Sequence, residues 1–451
     1  MSPAERPWAG RRLHVVGVGG AGMSAYARAA RALGAEVSGS DGSPGPYLER
    51  LAADGILEAA IGHDAANLPA AEGLELVYSS AVGTENPERV AARERGIPEL
   101  TRAELLGELS ALRRTIAVAG THGKTTTASM IAHALIGAGL SPGWLIGAPI
   151  GGGLANAEWG EGEWLVVEAD ESDRSLLSLK AEIAVLTNVE LDHHASFASL
   201  DELRELFARF LAQAPQAVIN DRPELLELRS GPLVPYEASG LELTAGGSRF
   251  RWHQHEVELR VPGAHNASDA AGALEAVALT GADAAAAIGA LAAFTGAGRR
   301  FQPLGRSRTG AELYEDYAHH PTEVAATLRG ARTLAHERLV AVFQPHLYSR
   351  TQLLAREFGA ALALADVVAV LDVYPARERA LDFPGVSGLL LAETAADAAA
   401  GRPVYWLPSF ADAERVLGGL LQTGDVCVVM GAGDVDRLGR ALAGAGEAAG
   451  G

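Results

Sequence analysis

Cysteine is almost absent from this 451-residue sequence, and lysine nearly so. The one thiol, Cys427, excludes a disulfide framework and suits a reducing cytoplasm. Inside the apolar run VCVVM it predicts an inert, buried side chain. No uninterrupted apolar run approaches the ~20 residues of a membrane-spanning helix. The opening MSPAERPWAGRR lacks the apolar core of a secretory leader. The expectation is therefore a cytoplasmic protein without membrane insertion. Positive charge is also scarce: a formal charge of −19 excludes general nucleic-acid binding. Anionic ligands must then be held by local arginine clusters and helix N-termini. Lysine occurs only at 124 and 180, so 35 of the 37 basic residues are arginine. A lysine here is an exception, and Lys124 falls in a motif.

What is present is a repeated alternation of strand and helix patterns, too long for one ordinary domain. RLHVVGVGG, EVSGSD and LELVYSSA read as strands of a first block that closes near TRAELLGELSALRRT. A second block contains IAVAG, EWLVVEAD, AEIAVLTN and QAVIN, the helical LDELRELFARFLAQA, and a β-rich stretch around SRFRWHQHEVELRV. It ends in two Ala-rich helices, and TGAGRRFQ reads as a Gly-hinged linker. AELYEDYA, RLVAVFQP, DVVAVLDV and DVCVVMGAGD are strands of a third block, followed by a tail, AGAGEAAGG, expected to be disordered. The predicted fold class is α/β, with three domains at 1–112, 113–297 and 298–451, each built on a largely parallel sheet. Ligands of such sheets sit beyond the carboxyl ends of the strands.

Residues 120–127, GTHGKTTT, follow a β-branched strand and lead into a helix. Glycines let backbone N–H groups close on phosphate oxygens, and the helix N-terminus adds positive potential. Lys124 would reach the phosphates and the Thr125 hydroxyl would ligate Mg²⁺. The usual loop has a glycine five positions before the second one, where this chain has Val118. Mg²⁺ takes oxygen ligands. Glu168 and Asp170 end one strand, and Asp192, His193 and His194 follow another, so Thr125, Glu168 and His193 are the expected metal ligands. Taken singly, EADESD could be a solvated acidic loop. A second motif, GVGGAG at 17–22, fits G-x-G-x-x-G, with Asp41 after the next strand. That motif alone would suit an NAD-dependent oxidoreductase; the loop at 120–127 alone would suit a kinase or an ATP-driven switch. HQH at 253–255 reads as structural, alternating along a strand, and GAG at 431–433 as a plain turn.

With VGVGGAGMS, YSSAVGTENPE, AGTHGKTTT, VVEADESD, TNVELDHH, HNASDAAGA, GAGRRF, YEDYAHHPTEV and FQPHLYSRT in order, the chain resembles the Mur ligase family over nearly its whole length. The resemblance implies a Rossmann-like N-terminal domain for a UDP-sugar, a central P-loop ATPase domain and a Rossmann-like C-terminal domain. It implies ATP-dependent joining of L-alanine to UDP-N-acetylmuramate through an acyl phosphate, by a monomer or homodimer. A murein peptide ligase, adding a recycled tripeptide to the same acceptor, is the nearest alternative. Carried over by position, Gly120, Thr121, His122, Gly123, Lys124, Thr125 and Thr126 form the ATP loop. Asn266 meets the adenine, Arg300 reaches the phosphates, and Asp316 joins the nucleotide contacts. Gly19, Gly20, Ala21, Gly22, Asp41, Ser79 and Ser80 fall to the UDP-sugar, and Tyr317, His319, His346 and Arg350 to the substrate pocket. Lys124, Arg300 and His319 are the expected catalytic groups, His319 either as general base or as a residue that orients substrate or caps its loop. Several members hold a second metal through a carbamylated lysine; the matching helix here, LDELRELFARFLAQA, has no lysine.

Overall fold

Runs of β-branched residues become strands because two covered faces demand apolar side chains at every position, and the helices between them supply the cover. The computed structural model describes residues 6–192 and 196–444; the tail beyond Gly444 lies outside them. Contacts divide the chain into two units, Met1–Glu237 with Asp269–Leu291, and Ala238–Ser268 with Ala292–Gly451.

The first unit holds two sheets. Strands β1 (Arg12–Val16), β2 (Glu36–Asp41), β3 (Ala60–Ile61), β4 (Leu74–Tyr78) and β5 (Glu99–Thr101) pair in the order β3-β2-β1-β4-β5, all parallel. The second sheet comprises β6 (Arg114–Ala119), β7 (Gly143–Leu145), β8 (Ala157–Glu158), β9 (Trp164–Glu168), β10 (Ala181–Leu186), β11 (Gln216–Asn220) and β12 (Leu233–Tyr236). Its order is β12-β11-β10-β6-β9-β7-β8, antiparallel only at β7–β8. Helix Leu200–Gln213 starts at Ser199, whose hydroxyl accepts the Glu202 N–H. It buries Leu203, Leu206, Phe207, Phe210 and Leu211, the spacing of one helical face.

The second unit holds an antiparallel sheet of β13 (Ser239–Thr244), β14 (Gly247–Trp252) and β15 (His255–Leu259). HQH does not alternate along a strand as expected: Trp252 pairs with His255, so His253 and Gln254 form the tight turn between β14 and β15. His253 takes a positive φ of 50° there, and its ring meets Trp252 edge-on. The larger sheet has β16 (Gln302–Arg306), β17 (Glu312–Asp316), β18 (Arg338–Phe343), β19 (Val367–Val370), β20 (Val404–Trp406) and β21 (Asp425–Met430), ordered β16-β17-β21-β18-β19-β20. Only β16 runs antiparallel. Apolar clusters cover both of its faces, one around Phe343 and Phe358, the other around Val340, Cys427 and Leu438. Burial pushes the Cys427 thiol up to about 12, so it is inert at neutral pH. Among the described residues no helix is long and apolar enough to cross a membrane.

Candidate active site

The carboxyl ends of β1, β2 and β4 meet at the first glycine turn. Gly17 and Val18 donate to Ser40 O, and Ser79 donates its backbone N–H to Val16 O. The Gly19 N–H donates to Asp41 Oδ2 at 2.8 Å, and a Cβ on Gly19 would lie 2.9 Å from that oxygen. Gly20 caps helix Ala21–Ala32 without any side-chain bond, which leaves the N–H groups near Ala21 and Gly22 to an anion. Ser80 is exposed at the rim. Asp41 thus braces the turn from below.

The second turn is built on β6. Val118 is a fully buried strand residue, paired with Glu168 of β9 and Val185 of β10. The strand therefore runs on past the point where the usual loop begins, and the turn opens at Gly120 instead. Gly120 (φ 135°) has no room for a Cβ beside Thr187 Oγ1 and the Asn188 backbone. Gly123 (φ 81°) caps helix Lys124–Gly137 with no side-chain bond, and a Cβ there would lie 2.6 Å from Asp269 Oδ1. Residues after β10 pin the loop from the side. Asn188 Oδ1 accepts the His122 N–H at 2.9 Å, Thr187 Oγ1 donates to His122 O at 2.6 Å, and His122 Nε2 lies 2.9 Å from Glu190 Oε2.

Lys124 Nζ donates to Gly120 O (2.7 Å) and Thr121 O (3.1 Å) and forms an ion pair with Glu171 Oε2 at 3.0 Å. Burial works to lower its pKa, but Glu171, Asp170 and Glu168 outweigh that and hold the ammonium above its ordinary value. Thr125 Oγ1 donates to both oxygens of Glu168, at 3.0 and 3.1 Å, and the Gly147 N–H donates to Glu168 Oε2 at 2.8 Å. A hydroxyl and a carboxylate side by side at a phosphate loop are hard oxygen donors of the kind Mg²⁺ takes. The third expected ligand, His193, and its neighbour His194 lie outside the described residues. Asp170 faces Arg102 rather than Thr125, its Oδ2 accepting Nη2 at 3.2 Å. Burial alone would raise its pKa; Arg102 and Lys124 bring it to about 2.

In the second unit the candidate residues gather beyond β17, β21 and β18. Asp316 accepts the Phe301 and Ala318 N–H groups, each at 2.7 Å. Burial lifts its pKa to about 6 against the opposing Arg300 charge and those bonds. The guanidinium groups of Arg299 and Arg300 lie 4.9 and 4.7 Å from the Tyr317 ring centre. Within TGAGRRFQ, Arg299 Nη2 donates to Gly431 O and Gly433 O, which gives the GAG turn a partner. His319 precedes helix Pro321–Ala331, and its Nδ1, 3.0 Å from Tyr317 O, must carry the proton because a carbonyl only accepts. Nε2 is then the basic nitrogen. Arg350, 3% exposed, donates to His346 Nδ1 at 3.3 Å, which puts the His346 proton on Nε2. The His346 ring stacks on Tyr374 and lies 6.1 Å from the His319 ring. Asn266 Nδ2 donates to Pro262 O at 2.7 Å.

Sequence reasoning passed over Glu171, Arg102, Asn188 and Asp269. Glu171 could have been found, since a lysine held in a dry loop needs a counter-ion and EADESD offers one. The others depend on register.

Three family profiles match in order: "Mur ligase family, catalytic domain" at residues 12–114, "Mur ligase middle domain" at 118–277, and "Mur ligase, glutamate ligase domain" at 299–433. The chain is 43% identical to a UDP-N-acetylmuramate–L-alanine ligase of Rubrobacter xylanophilus, over 96% of this chain and 99% of that protein. It is 41% identical to the enzyme of that name from a Mycobacterium species, over 97% and 96%. Among solved structures, the UDP-N-acetylmuramate-alanine ligase of Thermotoga maritima superposes with a TM-score of 0.82 at 27% identity, covering 96% of this chain and 98% of that one.

Proposed function

Since this chain belongs to the Mur ligase family, we propose that it joins L-alanine to the lactyl carboxylate of UDP-N-acetylmuramate, consuming ATP and releasing ADP and phosphate. The observation that carries this reading is the pair of uncapped glycine turns in one unit, at 17–22 and 120–123. An oxidoreductase needs only the first and an ATPase switch only the second; a ligase of UDP-sugars needs both. We assign the UDP-sugar to 1–112, ATP to 113–297 and the ligase residues to 298–451.

A carboxylate acylates poorly because oxide is its leaving group. Its oxygen attacks the γ-phosphorus of ATP, the bond to ADP breaks, and the acyl phosphate forms. The alanine nitrogen then attacks the carbonyl carbon, and phosphate leaves from the tetrahedral intermediate. Lys124 passes from Glu171 to the phosphates, and Arg300 adds charge to offset the repulsion between carboxylate and triphosphate. Thr125 and Glu168 would hold Mg²⁺, which supplies charge neutralisation on the phosphate oxygens. His319 Nε2 takes the proton that the amine loses. The lone buried thiol suits a cytoplasmic enzyme.

The test is phosphate release with UDP-N-acetylmuramate, MgATP and, in turn, L-alanine, glycine, L-serine or the muropeptide tripeptide. The reading expects the highest kcat/KM with L-alanine. Turnover with the tripeptide alone would make the chain a murein peptide ligase, and ATP hydrolysis without any amine would make it a switch.

A further inference from the structure

One cation of the first unit has no part in the scheme above. Arg102 is the first residue of helix Arg102–Ala111, and a capping box fixes its backbone: Thr101 Oγ1 accepts the Glu104 N–H, and Glu104 Oε2 accepts the Thr101 N–H. Its side chain, 18% exposed, lies between the first glycine turn and the acid loop 168–173. On one side its Cζ and Nε stand 3.8 and 3.9 Å from where a Cβ on Gly22 would sit, beside the Tyr26 hydroxyl. On the other, Nη2 reaches Asp170 Oδ2 at 3.2 Å and Nη1 lies 3.5 Å from Asp173 Oδ2. Nε is buried, and the Tyr26 hydroxyl interacts with the guanidinium. Asp170 in turn acts on Lys124 and sits between Glu168 and Glu171, the partners of Thr125 and Lys124.

An anionic diphosphate at the uncapped helix start would face the carboxylates of Asp170 and Asp173 across this one guanidinium. Resting on the functional reading above, we propose that Arg102 is a positioning residue joining the two substrate sites. It separates the acceptor's diphosphate from the acid loop 168–173 and holds that loop in register with Lys124 and Thr125. Its planar fork suits two carboxylates at once, which a lysine ammonium cannot reproduce. A structural cap elsewhere on the fold would not distinguish one substrate from another; a group between two anionic sites does.

The experiment is steady-state kinetics of Arg102→Ala, Arg102→Lys, Asp170→Asn and the Arg102→Ala/Asp170→Asn pair, with melting curves alongside. Arg102→Ala should raise the KM for UDP-N-acetylmuramate at least tenfold and lower kcat, leaving the KM for L-alanine within twofold. Arg102→Lys should recover the acceptor KM, which needs charge, more fully than kcat, which needs the fork. Adding Asp170→Asn to Arg102→Ala should restore part of the acceptor KM, because the repulsion that Arg102 screens is gone. Additive losses in the pair, or equal rises in both KM values, overturn the proposal. If Arg102→Ala does not fold, the contrast between KM and kcat in Arg102→Lys decides it alone. A wild-type chain that releases no phosphate with these substrates refutes the functional reading instead; with an active wild type, the variants bear on Arg102.

Discussion

Replacing Glu171 by glutamine keeps the shape of the side chain and removes the counter-ion of Lys124. The pair is closed off from water: the Glu171 side chain is 1% exposed and that of Lys124 14%, with Nζ 3.0 Å from Oε2. Breaking a buried ion pair by removing one partner costs about 3–5 kcal/mol. Lys124 keeps its bonds to Gly120 O and Thr121 O and the fields of Asp170 and Glu168, which brings the expected loss to about 2–3 kcal/mol. At roughly 2–4 °C per kcal/mol for a domain of this size, the apo protein should melt about 5–10 °C lower. MgATP should reverse much of that. On the proposed role of Lys124, its phosphates would compete with Glu171 in the wild type, whereas in the variant they would supply the missing charge. Melting curves with and without MgATP measure both effects. An apo midpoint within 1 °C of wild type, or a nucleotide-induced rise no larger than in wild type, would refute the exchange of Lys124 between carboxylate and phosphate.

Gly123→Ala places a side chain at φ 81° and 2.6 Å from Asp269 Oδ1, so ATP-dependent turnover should fall at least a hundredfold. Thermal stabilisation by UDP-N-acetylmuramate should persist, since the turn at 17–22 is untouched. Asp316, with its pKa raised to about 6, binds its proton more tightly folded than unfolded. Stability is therefore greatest below its unfolded value near 4 and falls by about 2–3 kcal/mol as pH rises to 6. Asp316→Asn should flatten that segment of a denaturation-versus-pH curve, and an unchanged slope would count against the shift. His319→Gln should lower kcat by ~10²–10⁴ and remove the acidic limb of its pH profile. Retention of that limb would assign the base elsewhere.

The strands and the two glycine turns were legible because each is written in a contiguous run. β-branched stretches such as IAVA and VVAV have few alternatives in a parallel sheet, and the turns announce themselves by composition. HQH misled because it reads as one strand stretch, whereas the Trp252–His255 register makes His253 and Gln254 the turn and leaves His255 to open β15. Partners were harder to read. Thr187 and Asn188 reach His122 from 65 and 66 residues away, and Arg102 reaches Asp170 from 68. The first two follow from β10 lying beside β6, and the third joins the helix after β5 in one sheet to the loop after β9 in the other; no local pattern encodes either.

The surroundings of Lys124 bear on why one of only two lysines stands there. The acid loop sets its carboxylates against separate partners: Glu168 on Thr125 and the Gly147 N–H, Asp170 and Asp173 on Arg102, Glu171 on Lys124. In a chain of charge −19, an incoming triphosphate would meet repulsion unless groups already neutralised could be handed over. An arginine at 124 would grip Glu171 through two parallel bonds and release it reluctantly. A lysine is a point charge on a flexible stem and can move between acceptors with one bond exchanged at a time. On the proposed roles, the arginine at 102 keeps its contacts and the lysine at 124 exchanges one. Lys124→Arg should accordingly preserve or raise the apo melting midpoint while lowering ATP-dependent turnover at least tenfold, and a variant with wild-type kcat and KM for ATP would show that exchange is not what position 124 requires.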